Sequence, residues 1–149
     1  MAKSTQSQGP SGDPLKTLLG YQIRRLSVMV MADASEVLAP LELSPVDASV
    51  LLCIGARAGV TQSAVGRSLG IQRANMTPLV GALIERDLVA RIPVDGRSQA
   101  LFLTKSGNSL CRRARVALEK HENRLFASLA AAERQELTTM LRELWRSLS

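Results

Sequence analysis

The fold is decided by residues 71–107, which read IQRANMTPLVGALIERDLVARIPVDGRSQALFLTKSG. The first half predicts a helix, because its apolar residues recur at steps of three and four and therefore share one buried face: Met76, Leu79, Val80, Leu83 and Ile84. Two segments with the composition of β-strands follow, Leu88–Val94 and Ser98–Leu103, and the Asp95-Gly96 pair between them favours a hairpin turn. The stretch thus predicts a helix followed by a hairpin, or wing, with Arg97 at its tip.

Polar side chains occupy the amino-terminal end of this helix and lie mostly outside its apolar stripe: Gln72, Arg73, Asn75 and Thr77. Such side chains at a helix tip can donate to and accept from base edges in a major groove. They would equally suit an ordinary solvated first turn. The wing favours the first interpretation, because a guanidinium on an exposed turn can enter a narrow minor groove or bind phosphate.

Two further helices are predicted upstream of this unit. The sequence Ser44-Pro45-Val46-Asp47 has the pattern of a capping box with proline in the first helical position. Thr61 is placed to cap a short helix, Gln62–Leu69, and Gly70 is placed to end it. A short helix, a tight turn and a second helix within about twenty-five residues are typical of a helix-turn-helix.

Long apolar stripes flank the central unit on both sides. One helix is predicted from Asp13, as the N-cap, to about Ala39, with Pro14 in its first position. Another follows the cap residue Thr104, and a last helix begins near Ala131. Apolar stripes of this width are normally covered by other helices, which could belong to a second copy of the chain or to the same chain.

Positive charge is concentrated in the central unit. Between Arg57 and Arg115 there are ten Lys or Arg residues against three Asp or Glu, whereas the rest of the chain holds nine against ten. This asymmetry favours an anionic polymer as the partner, because phosphate neutralisation and counterion release drive such binding. A generally basic soluble protein is the alternative.

Other classes of protein find little support in the sequence. Residues 1–12 are polar and are predicted to form a disordered arm, and no signal peptide or membrane span is recognised, so a cytoplasmic protein is expected. The single histidine, His121, lies on an apolar helix face, and no enzyme motif, metal spacing or cofactor site is found, so an enzyme is not expected. Cys53 and Cys111 are interpreted as small core residues; redox sensing is the alternative for Cys111, beside Arg112 and Arg113.

From Leu41 to Gly107 the chain resembles the MarR-type transcriptional regulators, which are dimeric winged helix-turn-helix proteins. The most specific match is Asp95–Gly107, which has the family's Asp-x-Arg wing tip and Leu-Thr-x-x-Gly ending. The segment Val65–Ile71, followed by Leu83, Leu88, Val89 and Arg91, matches the helix-turn-helix frame. The resemblance implies a mainly α fold of the α+β winged-helix type.

The resemblance also implies an organisation and a function. Residues 13–149 would form one domain, in which 41–107 are the winged helix-turn-helix and 13–40 and 108–149 are dimerisation helices. The helix beginning near Arg73 would be the recognition helix, and Arg97 the wing arginine that reaches the minor groove. The expected function is a homodimeric repressor that binds double-stranded DNA at a palindromic operator. Gln72, Arg73, Asn75 and Thr77 would read bases, while Thr61, Gln62 and Arg97 would contact backbone or minor groove.

Family members commonly release DNA when a small aromatic or anionic ligand binds between the dimer helices and the winged domain. Tyr21 and Arg25, one turn apart, are the candidate residues for such an effector, and a surface pair at helical spacing is the alternative. Two other functions stay open at this point: a winged-helix module that binds proteins without specific DNA binding, and a redox-sensing regulator that uses Cys111.

The recognition helix departs from the family pattern in three places. Gln72 is a weak cap, and Asp87 replaces the usual glycine at the helix end. Pro78 removes a backbone hydrogen bond and can cost about 3 kcal/mol in a helix interior. Two outcomes are therefore predicted: a first turn loosened or kinked at residues 74–77, or a regular helix that starts only at Pro78 with Thr77 as its cap.

Overall fold

A computed structural model describes residues 14–94 and 99–148 of the chain. The predicted disordered arm, the Asp13 cap and the wing tip with Arg97 lie outside these residues. The elements, in chain order, are a 3₁₀ turn (Pro14–Thr17), α1 (Leu19–Leu38), a second 3₁₀ turn (Ala39–Leu41), α2 (Pro45–Ala56), β1 (Val60–Thr61), α3 (Gln62–Leu69), α4 (Arg73–Glu85), β2 (Val89–Pro93), β3 (Gln99–Leu103), α5 (Lys105–Leu125) and α6 (Ala131–Leu148). The predicted winged-helix fold class is confirmed.

The amino-terminal helix begins later than the sequence predicts. Residues Pro14–Thr17 form a separate 3₁₀ turn, and α1 starts only at Leu19. Leu18, in the cap position, has an extended backbone and no capping side chain, and the Gln22 side-chain amide donates to the backbone of the preceding turn at 2.7 Å. The prediction of one continuous helix from Asp13 is wrong, because apolar periodicity reports on side-chain burial and does not detect a break in the backbone.

The starts of α2 and α3 are set by local capping, as predicted. The Ser44 hydroxyl accepts from the Asp47 amide at 3.1 Å, and the Asp47 carboxylate accepts from the Ser44 amide at 3.1 Å, which completes the capping box. The Thr61 hydroxyl accepts from the Ala64 amide at 3.2 Å. Gly70 ends α3 with φ of 65°, a left-handed conformation that glycine adopts at little cost.

A three-stranded antiparallel sheet packs against the helices, with the strand order β1-β3-β2. In β3, Leu101 lies opposite both Val60 of β1 and Arg91 of β2, and its side chain is fully buried. Strand β1 was not predicted, because two residues are too few to show an alternating pattern. The largest fully buried side chains of the core come from α1, α2, α4 and β3: Leu38, Leu51, Ile54, Met76, Leu83 and Leu101.

A tight junction joins the end of α4 to the start of α5. Asp87 ends α4 in the left-handed region, with φ of 54°, and the Leu88 amide donates to the Leu83 carbonyl at 2.9 Å, as in a Schellman motif. The Thr104 hydroxyl caps α5 and donates to the Asp87 carbonyl at 2.6 Å. A Cβ on Gly107 would overlap the carbonyl of Leu88, so only glycine fits there. This explains why the Leu-Thr-x-x-Gly ending has that spacing.

Helix α4 runs without interruption from Arg73 to Glu85, with Pro78 inside it. Its first turn is closed at the start, because the Met76 amide donates to the Gln72 carbonyl at 3.1 Å. Pro78 has no amide to donate to the Ala74 carbonyl, and Ala74 is exposed to solvent. The alternative in which the helix starts at Pro78 is therefore wrong, and so is a loosened first turn, because the helix is continuous through residues 74–77; a kink there stays a prediction.

The terminal helices pack incompletely within one chain. Only Ala34 and Leu38 of α1 are buried, and α6 has no buried residue among those that the structure describes. Within the same residues, no single helix is long and apolar enough to cross a membrane. Helix α1 with its following turn reaches the required length and apolar character only when it is taken together with α2, and the chain bends by 74° between the two.

Candidate nucleic-acid interface

The polar residues predicted to read DNA form one exposed surface at the start of α4. Arg73, Asn75 and Thr77 lie on the first turns of the helix, and Gln72 precedes them; all four are exposed. Gln72 makes no side-chain capping hydrogen bond, as the sequence indicates. These side chains can therefore be reached by a ligand from the solvent, whereas Met76, Val80 and Leu83 of the same helix are buried.

A chain of hydrogen bonds connects this surface to α3 and to the wing. The Arg91 guanidinium donates from Nη2 to Oε1 of Gln62 at 3.2 Å. Gln62 in turn donates from Nε2 to Oγ1 of Thr77 at 3.1 Å, and the Thr77 hydroxyl donates to the Arg73 carbonyl at 3.4 Å. Helices α3 and α4 and strand β2 therefore meet through one side-chain network.

An open groove of about 330 Å³ lies over this network. It brings together four of the predicted site residues, Thr61, Gln62, Arg73 and Thr77, with Arg91 among its other lining residues. The Thr61 hydroxyl also caps α3, so this residue has a structural role of its own. Two guanidinium groups, from Arg73 and Arg91, make the groove suitable for phosphate oxygens.

The other predicted contacts are placed differently. Asn75 and Gln72 are exposed but do not line this groove. Arg97 falls in the part of the wing that the structure does not describe, so its role stays a prediction. Arg91 was missed as a site residue, because its relation to Gln62 spans 29 positions of sequence. The available signal was a single arginine in an otherwise apolar strand.

The two cysteines are packed against the core rather than offered to solvent. Cys111 is buried, with Sγ 3.6 Å from the Leu51 carbonyl oxygen, and Cys53 is half-buried. Burial raises the pKa of both thiols above the ordinary range; Arg57 lowers the pKa of Cys53 in part, and Arg115 and Arg112 do so for Cys111. The sequence predicts an electropositive setting for Cys111 alone, from Arg112 and Arg113; Arg112 does act on Cys111, but the other cation is Arg115 in place of Arg113, and Cys53 has one in Arg57. That assignment is corrected by the neighbours found.

His121 is buried between α1 and α5, which confirms its interpretation as a packed residue. Its Nδ1 lies 3.5 Å from the Asp33 carboxylate, and Arg124 donates to the same carboxylate at 3.0 Å. In the residues that the structure describes, neither ring nitrogen of His121 makes a hydrogen bond. Across those residues, no group of three or more His, Cys, Asp or Glu side chains is arranged to hold a metal ion.

A second groove, of about 450 Å³, lies between the end of α1, the turn after it and α5. Its apolar floor includes Val37, Leu41 and Val116, and three cations line it: Arg112, Arg113 and Lys120. The predicted effector residues, Tyr21 and Arg25, lie elsewhere, in the first half of α1, where Tyr21 is half-buried and Arg25 exposed. The structure therefore does not bring them into either groove.

Comparison with known proteins relates this geometry to established regulators. A sequence profile of the MarR family matches residues 41–98. The chain is similar to the transcriptional repressor CouR bound to a 23-mer DNA duplex, with 36% identity, coverage of 87% of this chain and 94% of that one, and a TM-score of 0.82. It is similar to CouR bound to p-coumaroyl-CoA, with 34% identity, coverage of 93% and 99%, and a TM-score of 0.82.

A third similar structure is the MarR family protein Rv2887 of Mycobacterium tuberculosis in complex with salicylic acid, with 26% identity, coverage of 90% and 98%, and a TM-score of 0.69. The profile spans the helix-turn-helix itself, and the DNA-bound repressor aligns with nearly its whole length at 36% identity. On these grounds the chain belongs to the MarR family of winged helix-turn-helix transcriptional regulators.

Proposed function

We propose that this regulator is a homodimeric repressor that binds a palindromic operator and releases it when a small anionic aromatic ligand binds. The observation that carries the DNA-binding part is the exposed polar start of α4, where Arg73 and Thr77 share a groove with Arg91. A helix tip that presents donors and acceptors beside guanidinium groups suits base edges and phosphates together. The similarity to a repressor bound to a DNA duplex supports the same assignment.

The predicted contacts have different expected roles on the operator. Arg73, Asn75, Thr77 and Gln72 are proposed to face the major groove, whereas Thr61 lies at the start of α3, where it suits the DNA backbone. Arg97 is proposed to reach the minor groove from the wing tip. Replacing Arg97 with alanine is expected to weaken operator binding by about 1–3 kcal/mol, in the range for an arginine contact to bases. Unchanged operator affinity in a titration at physiological salt would refute that role.

The dimer is proposed from the exposed apolar faces of the terminal helices. The exposed large apolar side chains of α1 and α6 are 38–78% exposed in one chain, among them Leu19, Ile23, Leu26, Leu141 and Leu144. A soluble monomer rarely exposes such a continuous surface, and an isolated helix of this length is only marginally stable without a packed face. A second copy of the chain would cover both helices, and two-fold symmetry would present two recognition helices to two half-sites.

The effector is proposed to occupy the groove between α1 and α5 or its continuation in the dimer. Its apolar floor suits an aromatic ring, and Arg112, Arg113 and Lys120 suit an anionic group. CouR is known with p-coumaroyl-CoA and Rv2887 with salicylic acid, and both ligands combine a ring with negative charge. Tyr21 and Arg25 stay a second proposed site. For the ligand to release DNA, it must bind the dimer whose wings have the DNA-free spacing more tightly than the dimer whose wings have the DNA-bound spacing.

The proposal is tested by selecting preferred sequences from a pool of random duplexes with the wild-type protein. An inverted repeat with half-sites about one helical turn apart is expected, because the dimer axis must coincide with the operator axis. Salicylate and p-coumaroyl-CoA are then titrated into the complex with the selected duplex. Recovery of no enriched sequence would contradict specific binding. If neither ligand releases the wild-type protein, the ligand class is wrong; if an Arg112→Ala, Arg113→Ala variant still responds as wild type, the groove assignment is wrong.

A further inference from the structure

A third, smaller groove lies between α3 and the start of α4. Its volume is about 230 Å³. The apolar residues that line it are buried or half-buried and therefore form its floor: Gly66, Ile71 and Met76. The polar residues that line it are exposed or half-buried and form its rim: Gln62, Ser63, Arg67 and Arg73. We call it the Gly66 groove.

The floor exists because α3 and α4 approach each other closely at Gly66. The Ile71 amide donates to the Gly66 carbonyl at 2.8 Å. A Cβ on Gly66 would lie 3.0 Å from the Ile71 carbonyl oxygen and 3.0 Å from Cγ of Met76. Since Gly66 carries no side chain, the space beside these apolar groups stays open between the polar residues of the rim.

The Gly66 groove continues the surface assigned to DNA. Gln62, Ser63 and Arg73 line both this groove and the larger groove that contains Thr77 and Arg91. Two guanidinium groups stand at its rim, and none of the described residues that line it is acidic. A duplex that contacts the start of α4 would therefore meet this apolar floor within a cationic rim, which suits the phosphates on either side of a base.

The major groove of DNA offers one apolar group to such a floor. Base edges there present hydrogen-bond donors and acceptors, and the exception is the C5-methyl group of thymine. Ile71 and Met76 can remove that methyl group from water, which is favourable, whereas a donor or acceptor placed on the same floor would lose its hydrogen bonds to water.

We propose that the Gly66 groove binds the C5-methyl group of one thymine in each half-site, with Ile71 as the residue that determines this specificity. The inference rests on the proposed sequence-specific binding and deepens it. It adds a base preference read through apolar contact at the α3–α4 junction, separate from the hydrogen bonds expected of Arg73, Asn75 and Thr77.

The test uses the duplex selected from the random pool and replaces its thymines with deoxyuridine, one position at a time. Uracil pairs with adenine as thymine does and lacks only the methyl group. Fluorescence anisotropy should show a loss of affinity of about fourfold at one thymine position per half-site, the factor that corresponds to burial of one methyl-sized group. The measured quantity is the ratio of the affinities for the thymine and uracil duplexes.

Two variants locate the methyl group on the protein. Ile71→Ala removes the wall of the groove, and Ser63→Leu fills the groove from its exposed rim. In both, the thymine-to-uracil ratio should fall to about one, whatever happens to the overall affinity. Leu69→Ala and Ser68→Leu are the matched controls, because neither residue lines the groove, and both should keep the wild-type ratio. Circular dichroism verifies that each variant is folded.

The outcomes distinguish this inference from the proposed function. If the wild-type protein binds the selected duplex specifically but no uracil substitution weakens binding, the inference is wrong and the proposed function stands. If Ile71→Ala and Ser63→Leu both keep the wild-type ratio, the methyl group is bound elsewhere on the protein and the inference is again wrong. If the wild-type protein enriches no sequence, the proposed function fails and the inference fails with it.

Discussion

Among the glycines that the structure describes, Gly107 has the least room for a side chain. It lies on the first turn of α5, where a Cβ would overlap the Leu88 carbonyl that follows the end of α4. The neighbouring Thr104 accepts from the Gly107 amide at 2.9 Å and donates to Asp87, so the backbone has no freedom to withdraw. Steric exclusion and capping together fix how the end of α4 packs against the start of α5.

Replacing Gly107 with alanine is expected to lower the free energy of unfolding by about 3 kcal/mol or more, because overpacking against rigid backbone has no cheap relaxation. Urea unfolding at fixed protein concentration measures the change. Gly81→Ala is the matched control: it lies within α4, and an added Cβ there meets nothing within 4 Å. It should stabilise the protein by about 0.5–1 kcal/mol through helix propensity. Equal free energies of unfolding for the two variants would show that a side chain at Gly107 does not clash with the Leu88 carbonyl.

The cysteines should behave as protected thiols. Burial raises the pKa of Cys53 and Cys111, so the folded state favours the neutral thiol. The stability that this contributes is present below the ordinary thiol pKa of about 8.5 and is lost as the pH rises through the raised value. Labelling by iodoacetamide should therefore be slow at pH 7 and rise under alkaline conditions, with urea-unfolded protein as the control. Fast labelling at pH 7, or release of DNA by peroxide, would favour the redox-sensing alternative.

Among the elements, helix α4 contains a locally destabilising residue, Pro78. The helix continues through this residue, but the Ala74 carbonyl has no amide at position 78 to pair with. Pro78→Ala restores that hydrogen bond and is expected to stabilise the protein by about 1–2 kcal/mol, since the helix-interior cost of proline is partly offset by its stiffening of the unfolded chain. Urea unfolding tests this. Destabilisation would mean that the proline is matched to the backbone of α4.

Elements whose ends are set by residues within or next to them are predicted correctly from the sequence. Elements and contacts that depend on residues distant in sequence are not. Ser44, Thr61 and Gly70 fixed the ends of α2 and α3 because each acts within four residues of itself. Strand β1 exists only through its pairing with β3, so nothing in its two residues marks it. For the same reason the exposed start of α4 was predicted, while the participation of Arg91 was not: its partner Gln62 lies on another element.

At the scale of the whole molecule, the terminal helices should hold two chains together. Leu26→Glu on α1 or Leu141→Glu on α6 places a charge in the proposed interface, where it would be desolvated without a partner. Each variant is expected to sediment as a monomer or a weak dimer and to lose most of its DNA affinity. Val94→Glu, at a 66% exposed apolar residue of the wing, is the control and should leave the sedimentation coefficient unchanged. Wild-type protein that sediments as a monomer would contradict the dimer.

The central claim is that the groove around α4 binds a specific DNA sequence. Its most direct test is the fluorescence anisotropy of the wild-type protein with duplex DNA from upstream of its own coding region, across a salt series and with random duplex as competitor. Specific affinity about a thousandfold or more above that for random duplex is predicted, together with a steep loss of binding as salt rises. Equally weak binding to both duplexes would contradict the claim and leave only a basic surface.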